Sequence, residues 1–402
     1  MKNIIKHVKM SLLGAFSTLL LTSLLLACAN GGTTTTSGTS VSGTTPAPTS
    51  TTSSVSASTP SSGSQTPQKP TVPLTSIRML DSSNGWALTQ ISILKTADGG
   101  LHWKDVTPSN ASLNMSRGDF LNTQYAWVAI PQVNANQVIV LHTTNGGQTW
   151  TSSTITGTMA MSVDAPHFLN TQEGWLEAIG DPGAGQQGAE IFHSIDGGVH
   201  WQKIASTENP ASGLSHSGFK SGISFVNATT GYATTSSNTG LPTDAGLFVT
   251  HDGGHTWQKE SFPMPQNINF TQIGTTPPVF FGNSGVMPVA LTLQSGQREL
   301  ILYRTNDNGN HWMQTRAVPV DSDASAVYVL DTNHAWTSDV QNGKFYYTND
   351  GGTTWWPIAT NPGKLNEMSF VSTNTGWAII SNALLHTADG GKTWTAVNYI
   401  IQ

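Results

Sequence analysis

Residues 387–394 read Thr-Ala-Asp-Gly-Gly-Lys-Thr-Trp, and nearly the same eight letters occur six times earlier in the chain. The earlier copies are TADGGLHW (96–103), TTNGGQTW (143–150), SIDGGVHW (194–201), THDGGHTW (250–257), TNDNGNHW (305–312) and TNDGGTTW (348–355). Each copy carries an acceptor side chain at its third position: Asp98, Asn145, Asp196, Asp252, Asp307, Asp350 and Asp389. Each closes on a tryptophan: Trp103, Trp150, Trp201, Trp257, Trp312, Trp355 and Trp394. A second element recurs upstream as NGWAL (84–88), YAWVA (125–129), EGWLEA (173–178), TGYATT (230–235), HAWTS (334–338) and TGWAII (375–380), and it has degenerated to SGVMPVAL (284–291) in the fifth unit. Two patterns marching in phase through seven units make an internal repeat, and a repeat decides the fold before any local reading does.

The last unit reads as four short strands. An alternating stretch at 366–371 comes first, followed by Gly-Trp-Ala-Ile, then Ala383 to Thr387, then the Gly-rich turn and the run from Trp394 onward. Units of this length with four strands each are propeller blades. The expected fold is all-β, a seven-bladed β-propeller of four-stranded antiparallel blades over residues 73–402. The blades fall at about 74–110, 111–157, 158–210, 211–264, 265–316, 317–360 and 361–402. In the repeated turn, a carboxylate can accept backbone N–H bonds, Gly supplies positive φ, and Trp buries against the blade. Asn145 keeps the acceptor oxygen without the charge, a swap that a catalytic acid would not survive.

The turn resembles the Asp-box of bacterial neuraminidase repeats. The whole repeat, with its Gly-Trp-Ala element and its Thr-x-Asp-Gly-Gly-x-Thr-Trp turn, is similar to the propellers of the photosystem II assembly and stability factor family. That resemblance implies a chaperone that docks on a protein partner. An arginine-rich surface matters in that family, whereas this chain has five dispersed arginines: Arg78, Arg117, Arg298, Arg304 and Arg316.

The N-terminus sets the location. Lys2, Lys6 and Lys9 precede an apolar run from Ser11 to Ala27, the layout of an export signal over residues 1–27. Leu25-Leu26-Ala27-Cys28 resembles the lipobox of bacterial lipoproteins, so lipidation is expected at Cys28, the one cysteine of the chain. Residues 28–72 are Thr, Ser, Gly, Pro and Ala with hardly a large apolar side chain, too little to repay ordering entropy, and read as a disordered tether. The propeller is therefore expected outside the cytoplasm, held to a bacterial membrane by a lipid and acting as a monomer. A net charge of −6 with 10% charged residues argues against a nucleic-acid partner.

The turns between strands three and four share a rim with those between strands one and two, so binding is expected on the opposite rim. There blades two to five carry the longer connections: PQVNANQ (131–137), GDPGAGQQGAE (180–190), SSNTGLPTDAG (236–246) and LQSGQRE (293–299). The candidate binding residues are Glu177, Asp181, Glu190, Asp244, Arg298 and Glu299. A glycosidase would need two of these carboxylates about 5–10 Å apart, and a sialidase three arginines clamping a carboxylate. No nucleophile motif or metal-ligand set appears, and His251 and His255 share a turn, not a helix face. Of the pair Trp355-Trp356, alternation turns one ring outward, and Trp356 is expected to cover the next blade. The function expected is non-enzymatic and cofactor-free binding of a protein or polysaccharide. The alternatives are a photosystem assembly-type chaperone and a carbohydrate-active module.

Overall fold

The computed structural model describes residues 72–237, 246–320, 327–339, 343–358, 362–381 and 383–402. The signal segment, Cys28, the tether as far as residue 71, and residues 238–245 of the unit-four connection with Asp244 lie outside these residues. Within them the fold is all-β, with almost wholly antiparallel strands in six hydrogen-bonded sheets. The last unit is Leu365–Phe370, Gly376–Ile380, Ala383–Thr387 and Thr395–Val397, each strand paired to the next. Second strands such as Gly85–Leu88 are buried along their whole length. A strand reads so when both faces of its sheet are covered, and here the neighbouring units do the covering.

The seam between units follows from the Gly-Trp pair. Trp175 stacks on Phe225 of the next unit at 3.8 Å, and Phe225 meets that unit's turn tryptophan, Trp257, edge-on at 6.0 Å. Trp127 with Phe168 and Trp336 with Phe370 repeat the stack at 3.7 and 3.9 Å. The glycine before the ring makes room for the aromatic of its own first strand: a Cβ on Gly174 would lie 2.5 Å from Phe168, and one on Gly376 would lie 2.4 Å from Phe370. The indole N–H then reaches across to the next unit's turn. Trp127 donates to Gly197 O at 2.7 Å, Trp175 to Gly253 O at 2.8 Å and Trp336 to Gly390 O at 3.0 Å. Tyr232 does the same with its hydroxyl, 2.6 Å from Asn308 O. In the degenerate fifth unit Met287 has no such group, and the Arg304 guanidinium donates to Asp350 O at 3.1 Å instead.

The last unit closes on the first in the same way. Trp377 donates to Gly99 O at 2.8 Å, and the Met79 amide donates to Ser369 Oγ at 2.8 Å. The C-terminal strand Ile400–Ile401 runs parallel to His102–Asp105 as a fifth strand of the first sheet, and the Tyr399 hydroxyl donates to Val72 O.

Three departures from regular four-stranded units have local causes. The first strand of unit three is split into Ser162–Val163 and His167–Phe168 around Asp164-Ala165-Pro166, where proline lacks the ladder N–H. Pro277-Pro278 splits that of unit five into Phe270–Thr275 and Val279–Phe281. Pairing of Ser236 with Gly274 merges units four and five into one ten-stranded sheet. The polar stretches expected as long loops are mostly hairpin extensions. In unit three, strands Gly174–Gly183 and Gln186–Ser194 meet at a two-residue turn, Ala184-Gly185, with both φ positive. In unit two, Ala126–Gln132 and Gln137–Thr143 leave one short 3-10 turn, Val133–Ala135. Polar composition hid these strands because their tips face water on both sides.

Candidate functional site

The two ends of the sheets use their polar groups differently. At one end, every repeated turn is bound to the turn between its own first and second strands. The amides of Gly99, Gly146, Gly197, Gly253, Asn308, Gly351 and Gly390 each donate to a carbonyl there at 2.7–2.9 Å. Inside the turn the third-position side chain accepts the amide four residues on. The distance is 2.8 Å from Thr393 N to Asp389 Oδ1 and 3.0 Å from Thr149 N to Asn145 Oδ1. The second carboxylate oxygen takes a side-chain bond, from Thr256 on Asp252 and Thr393 on Asp389, each at 2.6 Å. Where histidine replaces that threonine, its Nδ1 takes the same place: His102 on Asp98, His200 on Asp196 and His311 on Asp307, all at 2.6 Å. The Thr393 hydroxyl and then the Thr393 amide hold Asp389 down to about 2. These carboxylates are committed to their own turns. Of the turn tryptophans, Trp103, Trp257 and Trp312 are buried at 0–4% exposure, and Trp150, Trp201, Trp355 and Trp394 are half-buried.

At the opposite end, charged side chains from three units converge on the inner strands. Glu177, on the second strand of unit three, is 1% exposed, and its Oε2 has no hydrogen-bond partner. The split strand beside it brings in Asp164, whose amide donates to Glu177 O at 3.1 Å. The Asp164 carboxylate lies against Gly222 of unit four, where a Cβ would come within 2.4 Å of Oδ2. Gly222 also holds a φ of 118°, which L side chains rarely adopt, at a bulge after Lys220. Lys220 and Arg117 supply the positive charges, both half-buried.

Burial first, then the negative charge of Asp164, pushes the Glu177 carboxyl up to about 8, against the pull of Lys220. Burial likewise raises Asp164, which the Ala165 amide, Arg117 and the Ile223 amide oppose. Burial lowers Lys220. The cations are nonetheless turned toward carbonyls. Lys220 Nζ lies 3.3 Å from Gly218 O and 3.4 Å from Ser217 O, and Arg117 Nη1 donates to Ser116 O at 3.1 Å.

The other expected binding residues lie elsewhere or are already bonded. Glu190 is 3% exposed and accepts from Lys203, the Thr158 hydroxyl at 2.6 Å and the Met159 amide at 2.9 Å. Its role is to hold the connection between units two and three. Asp181 is exposed in the bulge of the unit-three hairpin. Arg298 and Glu299 stand half-buried beside the turn of the unit-five hairpin, with burial raising Glu299. The charges acting on Glu177 are those of Asp164 and Lys220, which sequence reasoning did not single out. Trp356 is 50% exposed on its outer strand, whereas Trp355 is half-buried against the cluster that includes Val318 and Tyr346.

This rim is also braced and partly apolar. Gln187 of the unit-three hairpin donates to His216 O and accepts the Lys220 amide, and Gly218 N donates to Gly185 O. Ile91, Met115, Met161 and Met264 are 39–64% exposed on connections of this end. Met115 keeps a φ of 57°, a region costly for a non-Gly residue.

Packed antiparallel sheets of this kind, each clasping the turn of the next, make the fold a β-propeller. No family model matches the chain, and no curated protein matches it in sequence. Solved structures do match. A structure described as YCF48 bound to D1 peptide aligns with a TM-score of 0.52 at 18% identity, covering 80% of this chain and 93% of that one. The GH74 xyloglucanase from Xanthomonas campestris aligns with a TM-score of 0.56 at 12% identity, covering 82% and 55%. This chain thus spans about half the length of the xyloglucanase. At these identities the likeness is one of fold.

Proposed function

We propose that the chain is a seven-bladed Asp-box propeller, residues 73–402, that binds an extended protein segment or a polymer through the hairpin rim of units two to five and performs no chemistry. The signal at 1–27, the lipid on Cys28 and the tether at 28–72 would hold it outside the cytoplasm on a bacterial membrane. The observation carrying this reading is the contrast between ends. Both ends expose apolar side chains, Leu101, Ile195 and Val199 in the turns and Ile91, Met115, Met161 and Met264 on the other connections, but the turn end commits its carboxylates to its own backbone, while the other holds Glu177, a buried carboxyl whose Oε2 lacks a partner. Braced loops on a rigid scaffold are where binding residues concentrate. The structure of YCF48 bound to D1 peptide, a propeller of similar fold, supports a protein ligand, and the GH74 xyloglucanase, similar in fold to the same degree, supports a polysaccharide.

The test is a paired screen of the full chain in detergent against peptide and glycan arrays. The proposal expects peptide or polymer capture that Met161→Asp abolishes and Lys392→Glu, in the repeated turn, leaves intact. Hydrolysis of a glycan that disappears in Asp181→Asn or Glu299→Gln would overturn the non-enzymatic part. Membrane release of Cys28→Ser, with the wild type retained, tests the anchor.

A further inference from the structure

The fourth strand of a unit is the outer edge of its sheet, and in unit one that edge is occupied. Residues 400–402 run along it: Ile400 N donates to Leu101 O at 2.9 Å, Gln402 N to Trp103 O at 2.8 Å, and Asp105 N to Gln402 O at 3.0 Å. An extended chain is thus held there by main-chain bonds from the turn onward. The unit-two edge, Thr151–Thr156, follows Trp150 in the same register, with Thr151 opposite His142 as Lys104 is opposite Lys95. It pairs with Gln137–Thr143 and with no other strand.

Open edges invite foreign strands, and proteins blunt them with charge, proline, bulges or short length. Unit three's outer strand carries Lys203 and a bulge, unit four's has Lys259 and Glu260, and unit six's has Pro357. Those of units five and seven are two and three residues long. Unit two's has six residues, Thr-Ser-Ser-Thr-Ile-Thr, with no charge, no proline and an unbroken register. Its outward groups follow from the repeat. The residue three past the turn tryptophan bonds inward, Val106 to Ile93 O at 2.9 Å and Thr315 to Leu302 O at 3.1 Å. Ser153 holds that place in unit two, so Ser152, Thr154 and Thr156 aim their N–H and C=O groups away from the sheet, and their side chains are exposed. The strand is fixed from its other face: Ile155 is buried against unit three, and Ser153 Oγ donates to Gly198 O at 2.8 Å.

We infer that this edge is a second docking surface, separate from the hairpin rim and independent of that reading. It takes an extended, uncharged segment of a protein partner as an added strand, laid parallel in the manner of residues 400–402. Main-chain bonds supply the affinity, and an edge already held rigid loses little freedom on binding. The exposed hydroxyls of Ser152, Thr154 and Thr156 suit Thr, Ser or other β-branched side chains beside them. A second copy of this chain fits less well, since six residues are a narrow footprint against the roughly 20–30 residues a side of a stable interface.

The experiment uses the full chain in detergent. Its probes are peptides of about eight residues alternating Val or Thr with Ser, each printed beside two twins N-methylated on alternate residues. An added strand turns one set of its amides to the edge, and the Val/Ser alternation fixes which set. One twin should therefore lose about tenfold or more in retention, and the other should keep it. Thr154→Pro removes an outward N–H at an edge position that tolerates proline, and should lose the peptides to the same extent. Thr154→Val keeps the amide and should hold them. Equal behaviour of the two twins overturns the inference, as does an absence of retention. Retention lost in Met161→Asp but unchanged in Thr154→Pro overturns it too, and assigns capture to the hairpin rim. Sedimentation of the chain without peptide is the last arm: a dimer that Thr154→Pro dissolves would make a second copy the occupant and overturn the partner assignment. Should Thr154→Pro fail to fold, the two twins on the wild type decide alone.

Discussion

The two ends of the sheets are built from the same four strands and treat carboxylates in opposite ways. At the turn end, Asp252 and Asp389 sit near water, accept three bonds each and are held down to about 2. At the hairpin end Glu177 is buried, holds an unbonded oxygen and is pushed up. The same functional group is thus a fastener at one end and a stored cost at the other. The difference lies in the supply of backbone N–H groups: the tight turns offer several, and the middle of a paired strand offers none.

The largest effect that would break this comparison is at a clasp. Trp175→Ala removes a fully buried ring, its stack on Phe225 and its bond to Gly253, and should cost about 3–5 kcal/mol in denaturant unfolding. A loss near zero would mean that the turn end does not hold neighbouring units together. Next comes Asp252→Ala, which strips three acceptor bonds and should cost about 1–2 kcal/mol, whereas Asp252→Asn should cost clearly less, as Asn145 already does this work.

The pH profile then separates the ends by sign. The turn carboxylates are depressed in the folded state, so their stabilisation is complete above the unfolded value of 3.8 and is lost as pH falls toward about 2. Glu177 is a raised acid: its proton stabilises the fold below 4.5, and that contribution is lost as pH climbs toward about 8. Glu177→Gln should therefore raise the unfolding free energy at pH 8 by on the order of 1 kcal/mol, seen as a higher melting temperature, and change little at pH 4.5. An equal shift at both pH values would place Glu177 among ordinary core residues. The smallest expected effect on folding is that of Met161→Asp, within about 0.5 kcal/mol, while ligand capture is lost.

The sequence carried the repeat plainly, because Asp, Gly and Trp recur at fixed offsets and each offset has a steric or hydrogen-bonding reason. It also set the repeated turns and the longer connections at opposite ends of the strands. It did not carry the convergence of Arg117, Asp164, Glu177 and Lys220, since these come from three units and share no spacing. Glu177 was named as an open rim carboxylate, and its importance lies in being enclosed. The first strands carry Arg78, Arg117, Asp119, Lys220 and Glu367, with Asp164 between the halves of one, and nothing in their order marks which of these meet. The hairpin extensions escaped notice because their tips are polar on both faces, which reads as loop.

The closure of the last unit on the first sets an order of events for the living chain. Its bonds join residues 278, 290 and 327 positions apart, and the most distant pair is Tyr399 with Val72. Units can fold one after another as the polypeptide emerges, but the first sheet stays one strand short until the final residues arrive. A chain cut before Ile400 would leave that edge of the first sheet unpaired.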